Sequence, residues 1–207
     1  YDKFRPVHNG ICAHIYPGLI ARPVSTEDVS QIVKFANEVG IDISVRSGGH
    51  SYQCQGTKQD SLNIDMRRLN KVQIVSPYAA KLGPGSTWKR VLKIIDPEKY
   101  TMIHGQCLDV GVGGFMLGLG TNLPGTSSKL GAGADKVIQH TMVLADGSIA
   151  HVTKENTTVY NEYGHENVIQ HTEDTKQYRE DVEYLQKLEE GEEHRVRTFF
   201  DKVCHHL

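Results

Sequence analysis

Two adjacent glycines in the stretch Arg46-Ser47-Gly48-Gly49-His50-Ser51 constrain this chain more than any other feature of its sequence. The stretch follows residues 41–45, whose alternating pattern predicts a β-strand. Glycine reaches backbone angles that residues with a Cβ avoid, so several N–H groups can point at one anion. Arg46 adds a positive charge beside this cradle, Ser51 adds a hydroxyl, and His50 lies at its edge. The turn predicts a diphosphate site, and a tight turn with a solvated histidine is the alternative.

A helix is predicted directly before that strand. Residues 25–28 offer a hydroxyl cap followed by acids, which is typical of a helix N-terminus. An apolar stripe at helical spacing follows, and Gly40 is placed to end the helix. Because residues 19–21 favour a short strand, the sequence predicts a strand–helix–strand unit with the glycine turn at its carboxyl end. Open α/β sheets commonly bind ligands at that end.

A second glycine-rich stretch, residues 105–120, has three glycines at helical spacing, Gly111, Gly114 and Gly118. On a helix they would form one bare face, which a flat ring system or another backbone could approach closely. Glycine costs about 1 kcal/mol against alanine inside a helix, so several on one face indicate a close contact. The alternative is a flexible glycine loop. Cys107 at the start of this stretch is by residue type a small buried hydrophobe more often than a reactive group.

Composition excludes several classes of function. A net charge of −2 gives no large basic face, so we expect no nucleic-acid partner. No apolar run reaches the length of a membrane span, so we expect no membrane partner. The 4 cysteines have neither zinc spacing nor the density of a disulfide framework, and we expect no metal. Residues 118–123 lack the third glycine of a dinucleotide fingerprint, and a P-loop is absent, which disfavours a classical NAD site or ATPase.

The remaining elements predict an α+β chain. Asp146-Gly147 is a favoured turn pair and predicts a β-hairpin. After about residue 155 the sequence becomes charged and helix-prone, so residues 154–207 are expected to form a divergent, mostly helical tail. The other expected elements are strands at 61–66, 72–75 and near 81–85, and a helix from Thr87 to Ile95 that Asp96-Pro97 ends.

Together these stretches resemble the p-cresol methylhydroxylase-type FAD-binding domain of the vanillyl-alcohol oxidase superfamily. Within it the chain is most similar to the berberine bridge enzyme-like group, which includes carbohydrate oxidases. The resemblance implies a fold of two subdomains, about 15–70 and 71–153, with FAD between them. It covers residues 15–153 in order and spacing, through the segments 22–29, 45–52, 63–65, 83–85, 105–120, 134–135 and 145–147.

The resemblance also implies a covalently bound cofactor. In that group a histidine bonds to the 8α-methyl carbon of the flavin and a cysteine bonds to C6, which maps to His50 and Cys107. Valine at the position of Val110 goes with oxidases, so O2 is the expected acceptor, H2O2 the product, and an alcohol or sugar hydroxyl the substrate. The cofactor-binding residues assigned in this way are Arg46, Ser47, Gly48, Gly49, His50, Ser51, Tyr52, Gly105, Gln106, Cys107, Val110, Gly111, Gly114 and Gly118.

Two departures from the family pattern keep alternatives open. Leu119 stands where the family has the middle of three consecutive glycines, and it could crowd the flavin. The substrate domain, which carries the family's catalytic base, does not follow residue 153, so we expect a truncated member and assign no catalytic residue. A partner chain that supplies a substrate domain, an inactive flavin-binding remnant, and a monocovalent aldonolactone-type dehydrogenase are further hypotheses, although Cys107 argues against the last. We expect a secreted or secretory-pathway location in preference to the cytoplasm.

Overall fold

The strand–helix–strand unit predicted ahead of the glycine turn is present in the computed structural model, which describes residues 1–5, 7–122, 130–160 and 166–170. Strand β1 (Leu19–Ala21), helix α1 (Thr26–Val39) and strand β2 (Ile43–Arg46) follow one another as the sequence predicts. Strand β3 (Leu62–Asp65) lies between β1 and β2 and is parallel to both. The glycine turn therefore leaves the carboxyl end of a parallel strand, where a ligand site is expected.

Both ends of α1 form as the sequence predicts. Ser25 Oγ accepts a hydrogen bond from the Asp28 N–H at 3.0 Å, and the Asp28 carboxylate accepts one from the Ser25 N–H at 3.2 Å. Gly40 ends the helix in the left-handed conformation, with φ 68°. The apolar stripe of α1 packs on the sheet, where Val29 and Val33 join Ile64 in one buried cluster.

A second buried cluster lies under the second glycine stretch. Strands β4 (Val72–Ser76) and β5 (Ala79–Leu82) form an antiparallel pair, followed by helices α2 (Trp88–Ile95) and α3 (Val112–Leu117). Trp88 is fully buried between the two helices, where it contacts the ring of Phe115 edge-on at 5.0 Å between centroids. The cluster consists of Trp88, Val91, Ile95 and Val112.

An antiparallel sheet of four strands closes the described part of the chain. Strands β6 (Gln139–Val143) and β7 (Ile149–Thr153) form the predicted hairpin around Asp146-Gly147. The hairpin turn packs on α1, because Ser30 Oγ donates to the Gly147 carbonyl at 2.5 Å and Asn37 Nδ2 donates to the Ala145 carbonyl at 2.7 Å. These two bonds tie the last sheet to the first unit of the fold.

The same sheet includes the first described residues of the segment 154–207, for which a mostly helical tail is expected. Strands β8 (Asn156–Tyr160) and β9 (Glu166–Gln170) continue the sheet beyond β7, so residues 156–160 and 166–170 are strands and not helix. Residues 157–160 are β-branched or aromatic and favour a strand, and the free edge of β7 gives them a partner. The charged helix predicted for 172–203 lies outside the described residues. None of the described helices has the length and apolar character that crossing a membrane requires.

A disulfide that the sequence did not predict joins Cys12 to Cys54, with 5.5 Å between their Cα atoms. The two cysteines are separated by 42 positions in the chain, and only the tertiary fold brings them together. The bond ties the irregular N-terminal segment to the loop that follows the glycine turn.

Asp65, at the end of β3, is fully buried, and three arginine side chains surround its carboxylate. Arg67 donates two hydrogen bonds to its carboxylate at 2.8 Å, Arg22 donates one at 3.1 Å, and Arg46 lies 3.2 Å away. Burial raises the pKa of Asp65, but the Arg67 hydrogen bonds and the charge of Arg46 outweigh burial, so its pKa lies below the usual value. The Arg46 guanidinium also donates to the carbonyls of Phe4 and Arg5.

We expect Asp65→Asn to lower the free energy of unfolding by about 3 kcal/mol or more, because it leaves the buried guanidinium of Arg46 without its counter-charge. Urea denaturation followed by circular dichroism measures the change. Asp42→Asn is the matched control, since it breaks an exposed ion pair with Lys58 that is worth at most about 1 kcal/mol. Equal and small effects of the two substitutions would contradict this role of Asp65.

We also expect the stability of the wild-type chain to fall as the pH drops below the ordinary aspartate pKa of 3.8. A carboxyl whose pKa is lowered by folding stabilises the folded state above its unfolded pKa, and that contribution is lost as the pH falls through the folded value. Melting temperatures between roughly pH 2 and pH 6 measure the slope. Asp65→Asn should flatten this acid slope, and an unchanged slope in the variant would assign the acid sensitivity to other carboxyl groups.

Candidate cofactor site

The two glycine stretches meet backbone to backbone. A Cβ added at Gly48 would lie 2.4 Å from the Gly111 nitrogen, and a Cβ added at Gly111 would lie 2.2 Å from the Gly48 nitrogen and from Ser47 Oγ. Non-bonded atoms do not approach this closely, so both positions need glycine. We call this contact between Gly48 and Gly111 the glycine junction.

A third segment completes the glycine junction. Ser47 Oγ donates to the Pro84 carbonyl at 2.5 Å, and the Gly113 N–H donates to the same carbonyl at 3.1 Å. The Val112 N–H donates to the Ser86 carbonyl at 2.8 Å. The loop before α2 therefore fixes the turn after β2 against the N-terminus of α3.

The sequence predicts that the backbone of the glycine turn forms an anion cradle. Gly49 is left-handed, with φ 77°. Within the described ranges, the N–H groups of residues 48–51 donate to no protein acceptor, so they can serve a ligand. Arg46 differs from the expectation, since its side chain is only 2% exposed and its guanidinium faces Asp65 and the N-terminal carbonyls. It supports the strand under the turn and does not line an open cradle.

His50 is half-buried, and its ring stacks on the ring of His8 with 4.1 Å between centroids and 12° between planes. Burial lowers the pKa of His50, the neighbouring charge of His8 lowers it further, and Asp109 raises it. The net shift is downward from 6.5, so His50 is neutral at pH 7. A neutral imidazole can act as a nucleophile.

Cys107 is a free thiol at the protein surface, in a tight turn closed by a 3.1 Å hydrogen bond from the Val110 N–H to its carbonyl. The same segment contacts the glycine turn, because the Asp109 carbonyl oxygen lies 3.2 Å from the Cβ position of Gly48. His50 and Cys107 therefore stand on two segments that touch at the glycine junction. Val110 packs against the buried cluster around Trp88, and its carbonyl accepts from the Trp88 N–H at 3.2 Å.

The bare helical face expected from three glycines is much smaller than predicted. Helix α3 has 6 residues, with Gly111 before it and Gly118 after it. It ends there because Leu119 and Gly120 adopt left-handed angles, with φ 72° and 67°. Only Gly114 has open space where a Cβ would stand, with no atom within 4 Å. Among the three, Gly114 is thus the position open to an external ring.

The other predicted site residues make local contacts or are exposed. Gly105 leaves room for Trp88, whose Cδ1 lies 3.0 Å from a Cβ placed there. Ser51 Oγ accepts from the Gln55 N–H at 3.3 Å, whereas Tyr52 is 80% exposed and Gln106 is exposed as well. Sequence reasoning missed two residues that act on His50, which are His8 and Asp109. Asp109 lies inside the second glycine stretch and could have been included, but nothing in the sequence connects His8 to His50.

We expect Gly48→Ala to destabilise the chain by about 3 kcal/mol, because its Cβ would overlap a backbone nitrogen that cannot move away freely. Gly114→Ala is the matched control within the same pair of stretches. It should leave stability unchanged or raise it by up to about 1 kcal/mol, since alanine favours the helix and space is available. Chemical denaturation of both variants measures the difference, and equal stabilities would show that the glycine junction is looser than described.

The chemical groups around the glycine junction fit a flavin dinucleotide. The turn offers backbone N–H groups for a diphosphate, and open space at Gly114 can accept a flat ring. A neutral imidazole at His50 and an exposed thiol at Cys107 are the two side chains whose chemistry forms covalent bonds to an electrophilic ring.

Comparisons with known proteins agree with this fit. Residues 17–153 match the family described as FAD binding domain. Glucooligosaccharide oxidase of Sarocladium strictum is 34% identical over 148 residues, which are 70% of this chain and 29% of that protein. The structure of a chitooligosaccharide oxidase aligns with a TM-score of 0.67 at 30% identity, covering 74% of this chain and 33% of that one.

A further solved structure is the glucooligosaccharide oxidase of Acremonium strictum, which is described with a 6-S-cysteinyl, 8α-N1-histidyl FAD. It is 32% identical, with a TM-score of 0.65, and the match covers 72% of this chain and 31% of that chain. The present chain thus spans about a third of the length of these relatives. On the match over residues 17–153 and these structural likenesses, the chain belongs to the FAD-binding domain family of the vanillyl-alcohol oxidase superfamily, together with the carbohydrate oxidases.

Proposed function

We propose that this chain is the flavin-binding part of an oxidase that holds FAD through two covalent bonds, from His50 and from Cys107. The observation that carries the proposal is the glycine junction, which joins the segments of the neutral imidazole and the exposed thiol. The relative from Acremonium strictum, described with a cysteinyl and histidyl FAD, supports the same pair of residue types.

The two nucleophiles have environments suited to bond formation. His50 stays neutral because burial and the charge of His8 disfavour its protonated form. Cys107 reaches solvent and makes no disulfide. Formation of each bond replaces one C–H bond of the flavin and one N–H or S–H bond of the side chain. The electron pair and the two protons that are released go to O2, which becomes H2O2.

The bound flavin supplies the hydride acceptor, and attachment at two positions makes it a stronger oxidant of an alcohol or sugar hydroxyl. The chain's own contribution is position: the backbone N–H groups of residues 48–51 receive the diphosphate and Gly114 leaves room for the ring. Val110 packs against the buried cluster around Trp88, and in the family that the sequence resembles a valine at this position goes with oxidases. We assign the oxidase reaction, in preference to a dehydrogenase reaction, on that residue.

Substrate binding and proton removal from the hydroxyl are proposed to lie outside the described residues, in a substrate domain or a partner chain. The length of the relatives supports this, since the chain matches about a third of them. A chain that binds flavin without turning over substrate is the second candidate. It too is supported by the match to only about a third of each relative. We further propose a secretory location, because the disulfide between Cys12 and Cys54 suits an oxidising compartment.

Mass spectrometry of the intact chain, expressed or incubated with FAD, tests the two bonds. We expect one FAD per chain after acid denaturation. The mass that it adds to the chain should be smaller than the mass of free FAD by two hydrogens for each bond. His50→Ala and Cys107→Ala should each retain an adduct with a single bond, and the double variant should retain none. His14→Ala, which changes an exposed histidine elsewhere, is the control and should match the wild type.

Three results would separate the candidates. A colourless wild-type chain after incubation with FAD would contradict flavin attachment. Loss of all covalent flavin in His50→Ala alone would favour a single histidyl bond. A doubly bonded flavin with no H2O2 from a panel of sugars and aromatic alcohols would favour the flavin-binding chain without turnover.

A further inference from the structure

His8 lies outside the residues 17–153 that match the FAD-binding family, yet its ring lies flat on His50. We propose that His8 is a positioning residue whose ring, stacked on the His50 imidazole, holds the plane of that imidazole for covalent attachment of the flavin. The inference rests on the proposed function, because the orientation of His50 matters in this way only if His50 bonds to the cofactor.

The backbone on either side of the stack is fixed by hydrogen bonds. The His8 N–H donates to the Gly49 carbonyl at 3.0 Å, and Asn9 Nδ2 donates to the Tyr52 carbonyl at 2.9 Å. These bonds pair residues 8–9 with residues 49–52, so the two rings are brought together by their main chains. The position of the two rings is therefore set by these hydrogen bonds as well as by the attraction between the rings.

The segment that carries His8 is anchored at further points. Cys12 is bonded to Cys54, just beyond the glycine turn. On the other side of His8, the carbonyls of Phe4 and Arg5 accept hydrogen bonds from the buried guanidinium of Arg46. His8 is thus held between a covalent link and a buried cation, and both links end on the elements that carry His50.

The chemistry of two stacked imidazoles explains the effect on His50. Two protonated rings at 4.1 Å would repel each other, and the stack removes water from one face of His50. Among the described residues, Asp109 also acts on the pair and favours protonation of His50, and the ring of Tyr52 meets His8 edge-on at 6.5 Å. Burial and His8 outweigh Asp109, so the pKa of His50 is lowered and the neutral nucleophile persists to a lower pH.

Orientation is the second contribution. The imidazole has two ring nitrogens, and only one can face the methyl carbon of the flavin. The stack on the His8 ring, 12° from parallel, holds the plane in which both nitrogens of His50 lie. Prealignment of this kind lowers the cost of reaching the geometry in which the bond forms.

Three variants of the full chain separate these effects. His8→Ala removes the stack and the charge, His8→Phe keeps a flat ring without a charge, and His14→Ala removes a histidine from the same segment that does not contact His50. Two properties are measured for each. One is the titration of His50 followed by NMR in the chain without flavin, with His50→Ala identifying the signal. The other is the rate of covalent flavin incorporation after FAD is added, between roughly pH 5 and pH 8.

We expect His8→Ala to raise the pH at which His50 titrates and to slow covalent incorporation by about tenfold at the acid end of this range. His8→Phe should keep incorporation close to the wild-type rate at the alkaline end of this range, because a flat ring still stacks on His50. It should raise the pH at which His50 titrates by less than His8→Ala does, because burial under the ring is kept and only the charge of His8 is lost. His14→Ala should change neither property.

The proposal about His8 and the proposed function fail in different ways. A wild-type chain that never bonds flavin contradicts the proposed function, whatever His8 does to the titration of His50. A wild-type chain that bonds flavin, together with a His8→Ala variant of unchanged rate and unchanged His50 titration, overturns the role of His8. Faster incorporation in His8→Ala would also overturn it, since His8 would then obstruct the flavin.

Discussion

The close contact between the backbones of Gly48 and Gly111 is the constraint on which the rest of the site depends. Each residue leaves no room for a Cβ on the other, and Ser47 and Gly113 both bond to the Pro84 carbonyl beside them. Because of this contact, a turn after a parallel strand and a turn before a short helix become one surface. His50 and Cys107 belong to the same site only as long as these two turns touch.

An ion pair and a disulfide hold the glycine turn in place. Arg46 and Asp65 are register partners at the ends of β2 and β3, and their ion pair fixes the strand end from which the glycine turn departs. The N-terminal segment then crosses the turn and is held by the Cys12–Cys54 disulfide. Arg46 therefore holds the turn, whereas His50 is the residue proposed to face a ligand. A residue next to a site motif can hold the turn even when its charge suggests that it faces a ligand.

Local sequence signals predicted much of the fold. The cap at Ser25, the left-handed Gly40 and the hairpin at Asp146-Gly147 are determined by residues within a few positions of one another, and all three form as predicted. Features that depend on distant residues were not predictable in this way. The Cys12–Cys54 pair, the pairing of β8 with β7, the burial of Arg46 and the stack of His8 on His50 all arise from contacts between segments far apart in the chain. The length of α3 was missed because Leu119, a residue that rarely adopts a left-handed angle, ends the helix.

The central claim is that one flavin is bonded to both turns, and peptide mapping of the flavin-loaded chain tests it most directly. After reduction of the disulfide and digestion with trypsin, His50 lies in the peptide 47–58 and Cys107 in the peptide 100–129. We expect to recover these two peptides together, joined through a single FAD. Recovery of the two peptides separately, with at most one of them carrying flavin, would contradict it.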